Sequence, residues 1–255
     1  MNNDQKMASE SNTLSRRATF GGLLLPAALL MLGGCGRTLQ RVASTDPQIP
    51  EGHGGFAMRP EGTRVFRDHK LVDQDGRRVR FQSDLVEGRV FAATFMYVQC
   101  KGICTDMTAR MRDAHRLLEP VMGEPVRFYT FSLAEDSPAE MKAAMRARGI
   151  DRLRGWSMLT APREVVRDIR WAFGFFEPDE ELDLRLDGHT GMARFGNHAS
   201  DKWSACPALG SGESIARGVL GVLAHEDRER VRWFAEEHNR NGRPIPGWRN
   251  GTRAG

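Results

Sequence analysis

The segment from Arg89 to Leu118 constrains the fold more than any other part of the chain. A largely apolar run, Val90 to Val98, is followed by Cys100 and Cys104 and then by apolar residues at helical spacing. An apolar run of this length that ends in a turn is typical of a fully buried strand in a parallel sheet. We therefore predict a buried strand, a short turn and a helix, with the two cysteines at the start of the helix.

The position of the two thiols favours a reactive or metal-binding role. The N-terminus of a helix stabilises a thiolate relative to a thiol. Spacing of four residues at the start of a helix brings Cys100 and Cys104 to one face, and the charge of Lys101 between them would also favour the thiolate. The alternative is a pair of ordinary buried cysteines, because free cysteine is among the most buried residue types.

The first 35 residues are predicted to be an export and lipoprotein segment. The pair Arg16-Arg17 suggests export of a folded protein, and the apolar stretch from Leu23 to Leu32 is too short and too interrupted for a confident membrane span. Leu32-Gly33-Gly34-Cys35 resembles a bacterial lipoprotein processing site, in which Cys35 is lipidated and becomes the mature N-terminus. A plain signal peptide or an uncleaved anchor is the alternative. In each case the domain is expected outside the cytoplasm, at the outer face of the inner membrane, where the compartment is oxidising.

A single folded domain is predicted for the rest of the 255 residues. Residues 36–64 contain three prolines and little apolar periodicity, which indicates a tether. Residues 65–224 form the predicted domain, and residues 225–255 a charged helix and a tail. The net charge of +4 comes from 37 basic and 33 acidic residues scattered along the chain. A nucleic-acid partner is therefore not indicated.

Strand and helix patterns alternate through the predicted domain. Asp75-Gly76 lies between two alternating segments, which predicts a β-hairpin ahead of the cysteine strand. Further strand and helix pairs follow, and Leu182 to Leu186 and Thr190 to Phe195 are predicted to be the last paired strands. His115 is predicted to lie on the surface, and Cys206 in a loop. This order of elements indicates an α/β sheet flanked by helices.

Taken together, residues 65–224 resemble the Sco/SenC family, thioredoxin-like proteins that bind copper and serve cytochrome c oxidase assembly. The resemblance depends on the order of several motifs, which are the Asp75-Gly76 hairpin, the strand into Cys100 and Cys104, Asp136-Ser137-Pro138, Trp156 to Thr160, and His189-Thr190. It implies a thioredoxin-like fold with an N-terminal β-hairpin and a central mixed sheet flanked by helices. It also implies that Cys100, Cys104 and His189 bind copper. The chain departs from the family pattern between the cysteines, at Lys101, Gly102 and Ile103.

Two thiolates and one imidazole suit copper, because soft sulfur prefers Cu(I) and nitrogen also accepts Cu(II). Three ligands leave an open position for transfer of the ion. His198 is a rival to His189, and Cys206 is left without an obvious partner once Cys35 is assigned to lipid. If the two clustered cysteines form a disulfide, metal binding should stop.

Three functions remain open at this point. The first is a membrane-tethered copper carrier whose client is a copper enzyme, such as a cytochrome c oxidase subunit. The second is a thiol:disulfide oxidoreductase that keeps the copper-site cysteines of another protein reduced, with Cys100 and Cys104 as its redox pair. The third is a domain that acts only by binding a partner. His189 separates the first two, because copper binding requires this histidine and dithiol exchange does not.

Overall fold

A computed structural model describes residue 52 and residues 54–100, 102–186 and 191–241. The predicted lipidation site Cys35, Lys101 and His189 lie outside the described residues, as do most of the tether and residues 242–255. No helix in the described ranges is both long enough and apolar enough to cross a bilayer.

Nine strands run through the described residues, and in chain order they are β1 (Phe56–Met58), β2 (Arg64–Phe66), β3 (Lys70–Asp73), β4 (Arg78–Arg80), β5 (Val90–Met96), β6 (Val126–Ser132), β7 (Trp156–Thr160), β8 (Met192–Asn197) and β9 (Lys202–Pro207). Seven of them form one sheet in the order β4-β3-β7-β6-β5-β8-β9. Strands β5, β6 and β7 are parallel, and the other neighbours in this sheet are antiparallel. The predicted α/β class with a central mixed sheet is confirmed.

In the same described part of the chain, six α-helices connect and cover the strands. They are α1 (Cys104–Leu117), α2 (Pro138–Ala147), α3 (Arg163–Ala172), α4 (Glu180–Leu184), α5 (Gly212–Val222) and α6 (His225–Arg240). Helix α2 begins with a capping box, in which Ser137 and Glu140 each accept a hydrogen bond from the other's backbone N–H. Ser211 caps α5 in a similar way, by accepting from Ser214 N.

The sheet separates two buried clusters of apolar side chains. On one side, Met107 and Met111 of α1 pack with Ile215 and Val219 of α5. Phe173 is at the centre of the other cluster, with its ring centroid 5.6–5.9 Å from those of several other phenylalanines, namely Phe66, Phe81 and Phe91. Because β5 is buried over its whole length between the two clusters, the position of its C-terminal end is tightly fixed.

The hairpin predicted around Asp75-Gly76 is present as β3 and β4. Asp73 Oδ1 accepts hydrogen bonds from Asp75 N (2.8 Å) and Arg77 N (2.9 Å), and Gly76 adopts the positive φ of 79° that the turn requires. The hairpin joins the central sheet through β3, which pairs with β7.

Folded elements continue beyond residues 65–224 at both ends. Strand β1, inside the predicted tether, pairs with β2, and Phe56 packs on Phe66 with a centroid separation of 5.9 Å. Gly54 N also donates a 2.6 Å hydrogen bond to Asp168 Oδ1. Helix α6, predicted to follow the domain, contributes the fully buried Val231 to the core. Short segments such as these are ordered by distant contacts, which local periodicity does not show.

The prediction that residues 182–186 pair with the following strand is wrong. Residues 180–184 form α4, whose cap residue Asp179 accepts from Leu182 N, and the buried Asp183 carboxylate binds Arg170. The antiparallel partners of β8 are β5 and β9. Cys206 therefore lies on β9 opposite Ala193 and not in a loop, and its burial raises the pKa of its thiol.

The prediction that His115 lies on the surface is also wrong, because its ring is only 4% exposed. Nε2 donates to Arg154 O at 2.8 Å, and the ring stacks on Trp156. Burial lowers the pKa of His115 below the ordinary value of 6.5, against the opposing effect of the bond to Arg154. The neutral ring is the form that suits the folded state.

This burial predicts that the free energy of unfolding depends on pH through His115. The pKa of His115 is lower in the folded protein, so this side chain binds a proton at higher pH in the unfolded chain. The free energy of unfolding should therefore fall as the pH drops below about 6.5, by at most about 1.4 kcal/mol per pH unit. Urea denaturation of the wild type and a His115→Gln variant at pH 7.5 and 5.5 measures this effect. The variant should lose less stability than the wild type, and equal losses would contradict the assignment.

Candidate dithiol site

Cys100 and Cys104 form a disulfide at the C-terminal end of β5, with their Cα atoms 6.0 Å apart. Cys104 is the first residue of α1 and is fully buried, whereas Cys100 is half-buried and Gly102 is exposed. A reactant from solvent therefore approaches through Cys100. The predicted strand, turn and helix are present, but α1 begins at Cys104, so Cys100 precedes the helix and does not lie at its start.

Two polar side chains hold the backbone that leads into Cys100. The buried Asp136 accepts hydrogen bonds through Oδ2 from Val98 N (2.8 Å) and Ser132 Oγ (2.8 Å). Arg148 donates to Val98 O at 3.0 Å. Burial lowers the pKa of Arg148, and the charge of Asp136 opposes this shift. Both polar groups of the Val98 backbone are thus tied to the elements behind the dithiol.

The sequence does not indicate that Asp136 and Arg148 hold the Val98 backbone. The motif Asp136-Ser137-Pro138 indicates only a helix start, and the cap of α2 is Ser137. Nothing in the local sequence of Arg148 points to the cysteines, which lie more than 40 positions away. Their contribution depends entirely on the packing of β5, β6 and α2.

The first turn of α1 favours negative charge on the sulfurs. Its cap residue is Ile103, whose side chain has no atom that can accept a hydrogen bond from the first amides of the helix. These N–H groups and the helix dipole therefore favour a thiolate at Cys104. Thr108 Oγ1 donates to Cys104 O at 2.7 Å, which fixes the backbone of the buried cysteine.

The third predicted ligand, His189, lies outside the described residues, but the residue that precedes β8 is defined. Gly191 has a φ of 60°, and a Cβ atom built on it would lie 3.0 Å from Ile103 Cδ1. Gly191 O also accepts a 2.8 Å hydrogen bond from Ala208 N. The start of β8 is thus packed against the turn between the cysteines. Within the described ranges no group of three or more His, Cys, Asp or Glu side chains is arranged to hold a metal ion.

The rival histidine, His198, lies at the opposite end of the sheet from the cysteines. It follows Asn197, which pairs with Val90 at the start of β5. Its Nε2 donates to Arg64 O at 2.7 Å, and its Nδ1 accepts from Gly88 N at 3.3 Å. With both ring nitrogens engaged and the side chain buried, His198 is a structural residue and is not brought to the dithiol.

Three solved structures match the chain at low sequence identity, and the first of them, with a TM-score of 0.50, shows the similarity in fold. A SCO1/SenC family lipoprotein from Bacillus anthracis is 20% identical with a TM-score of 0.50, and the match covers 61% of this chain and 92% of that one. BsSco, a member of the Sco family of cytochrome c oxidase assembly proteins, is 18% identical with a TM-score of 0.49, covering 74% and 97%. ScoI from Bradyrhizobium japonicum, solved with copper bound, is 19% identical with a TM-score of 0.47, covering 62% and 99%.

Sequence comparison with a family model defines the family. No curated protein sequence matches the chain. The model of the SCO1/SenC family matches residues 57–195, which is more than half of the chain and includes both cysteines. The matched region begins in β1 and ends in β8, so it contains the strand, the turn and the helix that form the dithiol site. The chain belongs to the SCO1/SenC family.

Proposed function

We propose that this protein binds copper through the thiolates of Cys100 and Cys104, with His189 as the third ligand. The observation that carries the proposal is the meeting of the two sulfurs at the end of β5 in a chain of this family. Two thiolates select Cu(I), and an added imidazole allows Cu(II) to bind as well. The ion is cargo that passes to a copper enzyme, such as a cytochrome c oxidase subunit.

The pairing of β8 supports His189 as a ligand. Strand β8 runs antiparallel to β5, with Ala193 opposite Thr94, so the residues that precede β8 approach the end of β5 that leads to Cys100. Gly191 lies next to Ile103, since a Cβ atom built on Gly191 would be 3.0 Å from Ile103 Cδ1. Two residues of chain span at most about 7 Å, and this short separation between position 189 and Gly191 supports His189 as the third ligand.

We expect the reduced protein to bind one copper ion and a His189→Ala variant to lose the Cu(II) charge-transfer absorption while keeping its fold. The physical reason is that imidazole is the donor in this set that suits Cu(II). Absorption and circular dichroism spectra of the two proteins provide the measurement, and His225→Ala, which changes an exposed histidine on α6, is the matched control. Undiminished absorption in the His189 variant would assign the nitrogen ligand to another residue.

The disulfide itself favours thiol:disulfide exchange as a second candidate function. A client thiolate would attack the half-exposed Cys100 Sγ and form a mixed disulfide, while Cys104 Sγ leaves as a thiolate stabilised at the start of α1. Disulfide exchange in vitro and oxidase copper content in cells, measured for Cys104→Ser and His189→Ala, separate the two functions. If His189→Ala preserves oxidase assembly and Cys104→Ser abolishes it, the oxidoreductase function stands. Equal loss in both variants supports copper delivery.

We also propose that the mature protein begins at Cys35 and is held by lipid at the outer face of the inner membrane. The motif Leu32-Gly33-Gly34-Cys35 supports this proposal. Mass spectrometry of the protein from membranes should show an N-terminal lipidated cysteine. An intact residue 1, or an unmodified Cys35 in soluble periplasm, would refute it.

A further inference from the structure

A cavity of about 290 Å³ opens between α3 and the segment that follows it. Its apolar walls include Leu133, Val166, Phe176, Leu182 and Leu184. Three of these side chains are unusually exposed for their type, at 56% for Phe176 and 47% for both Leu182 and Leu184. They make up half of the six large hydrophobic side chains that are exposed in the described part of the chain. Clustered exposure of this kind marks a binding surface.

The charges around the cavity indicate a protein as the occupant. The lining includes four arginines and three acidic residues, among them Arg163 and Arg185 with Glu164 and Glu177, so both signs of charge surround the apolar centre in nearly equal number. An apolar centre with a polar rim is the usual anatomy of a protein–protein interface. An anionic lipid surface or a nucleic acid would instead call for an excess of positive charge.

The cavity is held in shape by a buried ion pair. Arg170 Nη2 donates to Asp183 Oδ1 at 2.5 Å, and the Asp183 side chain is fully buried. The same carboxylate accepts from Trp171 Nε1 at 3.0 Å and from Glu177 N at 3.1 Å. These bonds join α3 to the far wall of the cavity, which gives a preformed pocket that an incoming side chain does not have to open.

The cavity and the dithiol share one loop, the connection from β6 to α2. Leu133, in the cavity wall, donates from its N to Met96 O at 2.8 Å, and Asp136 in the same loop binds Val98 N. Cys100 is four residues beyond Met96, so at most about 14 Å of chain separates Cys100 from the residue that Leu133 contacts. Glu135, which lies between Leu133 and Asp136 in this loop, accepts a hydrogen bond from Arg163 N at 3.0 Å and has a φ of 55°. A protein that reaches Cys100 therefore comes close to the cavity.

We propose that this cavity is the docking pocket for an apolar side chain of the client protein that receives copper from Cys100 and Cys104. The inference rests on the proposed copper-delivery function. The cavity volume of about 290 Å³ is at the lower end of the range for small-molecule pockets, which is about 300 to 1,000 Å³. A cavity of this size suits one or two side chains. The inserted side chain holds the client's copper ligands beside the half-exposed Cys100 while the ion moves.

The test uses the soluble copper-binding domain of a cytochrome c oxidase subunit from the same genome, reduced and free of metal. Phe176→Ala and Leu184→Ala should each weaken binding of this domain and slow copper transfer to it about tenfold or more, as expected for side chains at the centre of an interface. Trp233→Ala is the matched control, because Trp233 is 62% exposed on α6 beside a different cavity. The copper affinity of each isolated variant should remain that of the wild type.

Several results would overturn the proposal. Normal transfer by Phe176→Ala and Leu184→Ala, or a loss confined to Trp233→Ala, would exclude this cavity as the docking site. A wild-type dimer that both cavity variants convert to monomer would assign the cavity to a second copy of the chain. If the wild-type protein binds no copper or does not load the oxidase domain, the proposed delivery function fails, and the docking proposal fails with it.

Discussion

Oxidation of the reduced protein to the Cys100–Cys104 disulfide is expected to lower its copper affinity by more than about 100-fold. Loss of a residue that only supports a metal ligand already lowers the metal affinity about 10–100-fold, and the disulfide removes two ligands at once. The sheet should not unfold, because the fold described above contains this disulfide. Copper titration and circular dichroism of the oxidised and reduced forms measure both effects.

The third cysteine of the folded domain provides the control for this experiment. Cys206 lies on β9 and is not part of the disulfide, so Cys206→Ser should keep both the copper affinity of the reduced form and its loss on oxidation. Cys104→Ser should bind copper weakly whether or not oxidant is present. Tight binding by the oxidised wild type would show that the ion is held elsewhere, and the proposed site would be wrong.

Replacement of Asp183 by alanine is expected to destabilise the protein by about 3–5 kcal/mol. Removing one partner of a buried ion pair leaves an uncompensated charge, here on Arg170, which is itself buried. The change also removes the acceptor for Trp171 Nε1 and Glu177 N. The free energy of unfolding in urea measures the loss, which should be among the largest for a single side chain outside the apolar core.

Two control variants distinguish the effect of burying the Arg170–Asp183 ion pair from the effect of removing a charge. Glu236→Ala breaks an exposed pair with Arg232 and should cost less than about 1 kcal/mol. The double variant Arg170→Met with Asp183→Leu removes both buried charges and should be considerably more stable than Asp183→Ala alone. If Asp183→Ala costs no more than Glu236→Ala, the buried pair is not what holds α4 against α3.

Local sequence patterns were sufficient where an element depends on its own residues. The apolar run of β5, the Asp75-Gly76 turn and the helical spacing after Cys104 each depend on neighbours within a few positions. The strand and the helix on either side of the two cysteines also needed no distant contact, although α1 begins at Cys104 and Cys100 precedes it. The cysteine end of the site could therefore be predicted before the fold was known.

Elements that depend on distant partners were predicted incorrectly or not at all. Residues 182–186 look locally like a strand, but the buried bond between Asp183 and Arg170 and the cap at Asp179 produce α4 instead. The burial of His115 depends on Arg154, which is 39 positions away. A periodic pattern indicates which face of an element is apolar, but it does not indicate which distant polar group will contact that element.

The sequence by itself determined the α/β class, the strand that leads to the cysteine turn, and the helix that starts at Cys104, because each follows from short-range geometry and apolar periodicity. Tertiary structure alone decided that Asp136 and Arg148 hold the Val98 backbone ahead of Cys100, that His198 lies at the far end of the sheet, and that one loop, from β6 to α2, contacts both a cavity and the chain leading to the dithiol. These features are set by hydrogen bonds and packing between residues far apart in the chain, whose free energy exists only once the sheet has formed.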